Sequence, residues 1–214
     1  MMVEAVIWDF GGVITSSPFE AFNRYEQDNG IPKDFIRTVN ATNPDTNAWA
    51  LFERSEVSIE GFDDLFAAET RAAGHEVRGR TVIDLLHGDV RPAMVEALRR
   101  CAARFKTGCI TNNVKPSKGT SFWAAGSRTE QIARVMDIFD HVIESSKAGI
   151  RKPDPRIYQM MCEALGVDPK RCVYLDDLGV NLKPARAMGM TTIKVTEPGA
   201  AIMELETATG LTLR

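Results

Sequence analysis

The stretch Val3-Glu4-Ala5-Val6-Ile7-Trp8-Asp9-Phe10-Gly11-Gly12 decides the fold. Its run from Ala5 to Trp8 is short, apolar and rich in strand formers. The apolar residues are continuous rather than alternating, which marks a strand buried on both faces. The run stops at an acid, and two glycines then allow a sharp backbone turn. Asp9 therefore sits at the carboxyl end of a buried strand, facing a crevice. Taken alone, it reads equally well as a turn or helix cap.

Downstream of that turn, Ser17-Pro18-Phe19-Glu20 has the form of a helix start. Ser17 can cap, Pro18 suits the first helical position, and Glu20 completes a capping box. Helical patterning then continues almost to Gly88, with helices expected over 18–29, 33–40, 47–55, 58–73 and 81–87. This stretch contains no second convincing strand and reads as an α-helical insert. After Val90 the pattern changes. Helices are expected over 92–104, 129–138, from Asp154-Pro155 to 165, over 181–188 and over 199–208. Between them lie strand-like runs at Thr107–Thr111, Val142-Ile143, Cys172–Leu175 and Thr191–Val195. Strands alternating with helices imply an α/β fold, a parallel sheet with helices on both faces. The domain expectation is a sheet core from 1–15 and 90–214 and a helical domain from 16–89. Sheets of this kind carry their sites at the carboxyl ends of the strands. Asp9, Thr111 and the pair Asp176-Asp177 all fall at such ends.

Composition narrows the function classes. The 214 residues are 44% hydrophobic and 26% charged, with a formal net charge of −3. That balance offers no field for a nucleic-acid backbone or an anionic membrane. No apolar run approaches the ~20 residues of a membrane span, and Met1-Met2-Val3-Glu4 lacks the form of a signal peptide. The cysteines Cys101, Cys109, Cys162 and Cys172 form no C-x-x-C pair and lie in apolar surroundings. They read as buried, reduced thiols of a cytoplasmic protein. The histidines His75, His87 and His141 are isolated from them and from each other, and carry no assigned role. Nothing in the sequence bears on oligomeric state.

Two adjacent carboxylates repel, so a pair such as Asp176-Asp177 often needs a cation; a turn-former beside a solvated charge is the other reading of the pair. A magnesium ion between the ends of two strands would explain that pair and Asp9 together, because magnesium prefers hard oxygen ligands and accompanies phosphate. Thr111-Asn112 offers a hydroxyl and backbone amides at a third strand end, where a phosphate oxygen could bind. Thr-Asn-Asn is also an ordinary turn. Lys152, just before the Pro-started helix, could neutralise a carboxylate nucleophile and a phosphate at once. A lone lysine is more often a surface charge.

The order of these elements resembles that of the haloacid dehalogenase-like (HAD) hydrolase superfamily. Val6-Ile7-Trp8-Asp9-Phe10-Gly11-Gly12-Val13 is similar to its first motif and Ile110-Thr111-Asn112-Asn113 to its second. Lys152-Pro153-Asp154-Pro155-Arg156-Ile157-Tyr158 is similar to the third, and Tyr174-Leu175-Asp176-Asp177-Leu178-Gly179-Val180-Asn181 to the fourth. The chain is especially similar to the phosphatase domain of soluble epoxide hydrolases and to the N-terminal domain of acyl-CoA dehydrogenase-like multidomain proteins. The run Lys183–Met190 adds to that likeness. The resemblance implies a Rossmann-like core with the helical stretch inserted as a cap. It also implies covalent catalysis. Asp9 would attack phosphorus and form an aspartyl-phosphate. Asp9, the Gly11 carbonyl and Asp177 would hold magnesium, with Asp176 and Asn181 in support. Thr111 and the Asn112 amide would hold phosphoryl oxygens, and Lys152 would stabilise transition-state charge. The implied substrate is a small phosphorylated metabolite.

The phosphatase pattern usually has a second Asp two residues after the nucleophile, as proton donor. Here that position is Gly11. Two other readings therefore stand beside the phosphatase: a dehalogenase, which attacks carbon without metal, and a weakly active or inactive binder of a phosphorylated ligand. Thr15, Ser16, Phe19 and Phe22 are candidates to line the entrance, as are Lys115, Lys118 and Trp123. Ordinary loop or core packing accounts for them equally.

Overall fold

The computed structural model of the protein describes residues 2–53, 56–86, 88–112 and 127–213. His87, Asn113, Lys115, Lys118 and Trp123 lie outside the described residues. Within them the chain forms two compact units, one from 2–16, 89–112 and 127–213, the other from 17–88.

The first unit is built on five parallel strands: β1 (Ala5–Trp8), β2 (Lys106–Thr111), β3 (His141–Glu144), β4 (Cys172–Asp176) and β5 (Thr191–Lys194). Their spatial order is β3-β2-β1-β4-β5, so β1 is central. Trp8 pairs with Cys109 on one side and with Leu175 on the other. This register brings the ends of β1, β2 and β4 to one edge. All four β1 residues are fully buried, which explains the unbroken apolar run. Successive side chains go to opposite faces. Val6 and Trp8 join one core cluster with Met94, Leu98, Leu175 and Ile202. Ala5 and Ile7 join the other, with Ile157, Tyr158, Met161, Tyr174 and Leu182. Helices α6 (Pro92–Ala102) and α11 (Pro198–Thr209) supply the first face, and α9 (Pro155–Leu165) and α10 (Gly179–Ala187) the second. Truncating Trp8 to Ala would open a cavity at the centre, at a cost of about 3–5 kcal/mol.

α9 forms where expected and for the expected reason. The Asp154 side chain accepts from the Arg156 amide, Pro155 takes the first position, and Gly166 ends the helix in the left-handed conformation. Two short pieces were not expected, α8 (Ser145–Ala148) and a 3-10 turn at Pro169–Arg171. Neither is long enough to show a periodicity. The remaining helix here is α7 (Ser127–Met136).

The second unit is helical: α1 (Pro18–Asp28), α2 (Phe35–Ala41), α3 (Ala48–Glu53), α4 (Ile59–Ala72) and α5 (Gly79–Leu85). Ser17 and Glu20 form the capping box that starts α1. The core is aromatic, with the Phe52 and Phe62 rings stacked at 4.5 Å and Phe66 tilted against Phe62. Phe22 is only 2% exposed and belongs to this core. It does not line an entrance, because the apolar face of α1 turns inward. Phe19 packs against the same core, and the Arg37 guanidinium lies 4.2 Å from the centre of its ring.

All four cysteines are free and buried, and burial pushes Cys101 up to about 12. Among the described residues, no helix is long and apolar enough to cross a membrane.

Candidate active site

Asp9 follows β1 directly and is 7% exposed. The Leu175 carbonyl accepts from its amide at 2.8 Å, so the sheet ladder fixes its backbone. Its Oδ1 accepts from the Phe10 amide at 2.7 Å and from Lys152 Nζ at 2.7 Å. Among the described residues Oδ2 takes no bond, which leaves that oxygen available to react. The Lys152 side chain is 1% exposed, and its ammonium also reaches Asp176 Oδ2 at 2.9 Å. One buried cation thus bridges the acids at the ends of two strands.

Lys152 is held at its backbone too. Its amide donates to Asn112 Oδ1 at 2.9 Å, and Asn112 Nδ2 donates to its carbonyl at 3.1 Å. Asn112 directly follows Thr111, the last residue of β2, which is 8% exposed. The second and third motifs are therefore joined by a side chain that clamps a main chain.

Asp176 is fully buried and surrounded by donors. Oδ1 accepts from the Leu178 amide at 2.8 Å and from Asn181 Nδ2 at 3.0 Å. Oδ2 accepts from Lys152, from Asn181 Nδ2 at 3.1 Å and from the Tyr174 hydroxyl at 2.5 Å. Asn181 is anchored in turn, since its carbonyl accepts from the Tyr158 hydroxyl at 2.7 Å. The sequence reading passed over both tyrosines as strand and helix formers. One signal was present for Tyr174: residues two apart on a strand share a face, so its side chain lies on the same side as Asp176.

Asp9, Asp176 and Asp177 each place a carboxylate oxygen within 4.8 Å of the others. A divalent cation suits the hard-oxygen donor set these three carboxylates make. Donors already occupy both oxygens of Asp176, so of the three its carboxylate is tied most firmly to the protein. Gly12 makes the space for Asp177. It has φ +77°, and a Cβ there would lie 2.2 Å from Asp177 Oδ2. Arg91 fastens this turn by donating to the Gly12 carbonyl at 2.7 Å. Gly11 differs from Gly12: it has no left-handed φ, and its Cβ position meets nothing within 4 Å.

Electrostatics follow from burial. Desolvation raises the Asp9 carboxyl to about 7. Lys152 opposes that shift, and the neighbouring Asp176 and Asp177 add to it. For Lys152, burial disfavours the charge, but Asp9 and Asp176 outweigh it and hold the ammonium above its ordinary range. Burial, with the charges of Asp176 and Asp9, also pushes Tyr174 well above its ordinary value, so its hydroxyl remains a donor.

The fold and its acidic strand edge define a class of α/β protein whose parallel sheet gathers carboxylates at the carboxyl ends of its central strands. A family model described as haloacid dehalogenase-like hydrolase matches residues 3–189, and the chain belongs to that family. It is 34% identical over 215 residues to mouse acyl-CoA dehydrogenase family member 10, covering 98% of this chain and 19% of that protein. It is 33% identical to phosphatase MT3486 of Mycobacterium tuberculosis, covering 93% of this chain and 90% of that one. The chain spans between about a fifth and two fifths of the length of the first curated relatives it matches. Among solved structures, it is similar in fold to a HAD-family enzyme of Bacteroides thetaiotaomicron in complex with magnesium and inorganic phosphate. The TM-score there is 0.57 and the identity 18%, over 91% of this chain and 96% of that one. The chain is a hydrolase of this family, with an acidic cluster suited to a divalent metal.

Proposed function

We propose that this hydrolase is a magnesium-dependent phosphatase that removes phosphate from a small monoester through an aspartyl-phosphate on Asp9. The observation that carries the reading is the buried Lys152 ammonium, 2.7 Å from Asp9 and 2.9 Å from Asp176, with Asp177 beside them. Asp9 Oδ2 would form the bond to phosphorus as the bond to the leaving oxygen breaks. Water would then attack phosphorus and return the carboxylate and inorganic phosphate. Lys152 would meet the charge that gathers on the phosphoryl oxygens. Positioning and charge compensation of this kind dominate phosphoryl transfer. Thr111 and the Asn112 amide would hold those oxygens at the neighbouring strand end. Asp9, the Gly11 carbonyl and Asp177 would hold magnesium, which supplies further positive charge against the phosphate. Likeness to a named phosphatase along nearly its whole length supports this choice within the family. The small-molecule substrate and a cytoplasmic setting belong to the same proposal, the latter supported by four unpaired thiols.

The test is phosphate release from a chromogenic ester with and without magnesium, by the natural protein and by Lys152→Ala. Release that needs magnesium and falls at least about a hundredfold in Lys152→Ala supports the reading. Halide release from a 2-haloacid, independent of magnesium, would replace it with the dehalogenase. Inertness toward both substrates, with phosphate bound, would replace it with a ligand binder.

A further inference from the structure

We propose that Tyr174 is a positioning residue for catalysis: its buried hydroxyl fixes the carboxylate oxygen of Asp176 from which Lys152 is suspended over Asp9. This rests on the phosphatase reading and adds to it a residue one step removed from the reacting atoms.

The geometry is specific to one oxygen. Asp176 Oδ1 is held by the Leu178 amide and Asn181, whereas Oδ2 accepts from Lys152 at 2.9 Å, from the Tyr174 hydroxyl at 2.5 Å and, more distantly, from Asn181 at 3.1 Å. A bond of that length to a carboxylate is charge-assisted and among the stronger hydrogen bonds available to a neutral donor. It draws charge on Oδ2 toward the phenol. Lys152 has four flexible carbons, and its ammonium settles wherever the pull of its carboxylates balances. The balance is near equality, 2.7 Å to Asp9 against 2.9 Å to Asp176. Without the hydroxyl, Oδ2 has more charge to offer and one fewer partner. Lys152 is then drawn toward Asp176 and away from the nucleophile and the phosphoryl oxygens. A displacement of this kind affects the transition state more than the bound substrate.

The ring of Tyr174 has a separate structural job. It packs edge-on against Tyr158 at 5.3 Å in the core. Tyr174→Phe keeps the ring and deletes only the hydroxyl, so packing and positioning come apart. Thr107→Val is the matched control: it also removes a buried hydroxyl from the sheet, at the opposite end of β2, where Thr107 bonds the Ile138 carbonyl.

The experiment measures kcat and KM with magnesium and a chromogenic ester. It also measures inhibition by orthovanadate, which mimics the transferring phosphoryl group, and by inorganic phosphate, the product. Tyr174→Phe is expected to lower kcat about tenfold and to weaken vanadate by a similar factor, with KM and phosphate inhibition within about twofold. Thr107→Val is expected to lower the melting temperature while leaving all four values in place. If Tyr174→Phe is recovered unfolded, Tyr174→Met, which also lacks the hydroxyl and fills the core with a flexible apolar side chain, takes its place with the same expected pattern. A Tyr174→Phe protein with natural kcat and vanadate inhibition overturns the inference and leaves the phosphatase reading standing. So does a pattern identical to that of Thr107→Val. A natural protein without magnesium-dependent phosphatase activity overturns both.

Discussion

The two units bury polar side chains in different ways. In the helical unit, the buried side chains of Glu26, Asn47, Asp63 and Thr70 answer backbone. Glu26, fully buried, accepts from the amides of Asp34 at 2.7 Å and Ile36 at 2.9 Å, fastening the loop before α2. Asn47 donates to the carbonyls of Asn40 and Thr42 and accepts from the Ala50 amide. Thr70 accepts from the Val77 amide, and Asp63 accepts from the Arg80 amide and pairs with Arg78. These groups close loops that would otherwise hold orphaned amides and carbonyls. In the sheet unit, the buried charges face one another instead. Lys152 lies between two buried carboxylates with a third nearby. A polar group satisfied by main chain marks architecture. Buried charges gathered round one another cost stability unless they are well compensated, and they mark chemistry.

The sharpest way to break that comparison is Asp9→Asn. An amide matches the carboxylate in shape but is a very poor nucleophile. Turnover is expected to fall more than about a thousandfold, on the scale seen when nucleophiles are removed. The fold is expected to persist, because burial of Asp9 does not stabilise it. Its carboxyl is raised from 3.8 to about 7 in the folded protein. Between those values the folded form holds a proton that the unfolded chain has released, so stability from this group falls as pH rises through the window. Circular dichroism and thermal melts should show Asp9→Asn folded at neutral pH. A contamination-free preparation that keeps natural turnover removes Asp9 from the mechanism.

The helical unit predicts the reverse outcome. Glu26→Ala strands the buried Ile36 amide and the part-buried Asp34 amide, at a cost of about 2–3 kcal/mol. Activity per folded molecule is expected to be unchanged. Denaturant unfolding together with active-site-normalised kcat separates the two effects. A loss of kcat with no loss of stability would place Glu26 among the chemical groups and undo the distinction.

Magnesium binding sharpens it further. The cation needs the Asp9 carboxylate free of its proton. By calorimetry, affinity is expected to be level above about pH 7 and to weaken about tenfold per pH unit below it, one proton being displaced. Asp177→Ala should weaken binding at every pH. Equal binding by Asp177→Ala, or affinity flat from pH 5 to 8, would count against these residues as the ligands.

Much of this was legible in sequence because the sheet is buried on both faces. Short continuous apolar runs ending in Asp9, Thr111 and Asp176 could be ordered into strands without tertiary information. Lys152 was not legible by itself. Its spacing does not distinguish a surface lysine from one 1% exposed, because what holds it inside is Asp9, Asp176 and Asn112, all distant in sequence. Tyr174 was hidden by its own propensity, since an aromatic residue in a strand needs no further explanation. Phe22 stood between two readings, entrance or core, because proximity to the first motif in sequence says nothing about which face of α1 turns inward.

The smallest expected effect concerns Gly11, where the sequence lacks the acid that phosphatases of this pattern carry. The two glycines of the turn are not equivalent. Gly12 must be glycine, by its φ of +77° and by the approach of Asp177. Gly11 has neither constraint, and a side chain there enters open space. Gly11→Asp is therefore expected to fold. Without a donor at that position, a leaving oxygen must depart on its own acidity. The natural protein should show rates that fall steeply from nitrophenyl to alkyl phosphates. An added carboxyl beside the nucleophile is expected to raise alkyl phosphate turnover about tenfold, the lower reach of general acid catalysis, and to leave nitrophenyl phosphate nearly unchanged. Rates across one series of aryl and alkyl phosphates, for both proteins after checking their folding, decide the matter. A flat series in the natural protein would mean that a proton already comes from elsewhere in the chain. A steep series that Gly11→Asp leaves steep would mean that the open space beside Asp9 is not where the leaving oxygen sits.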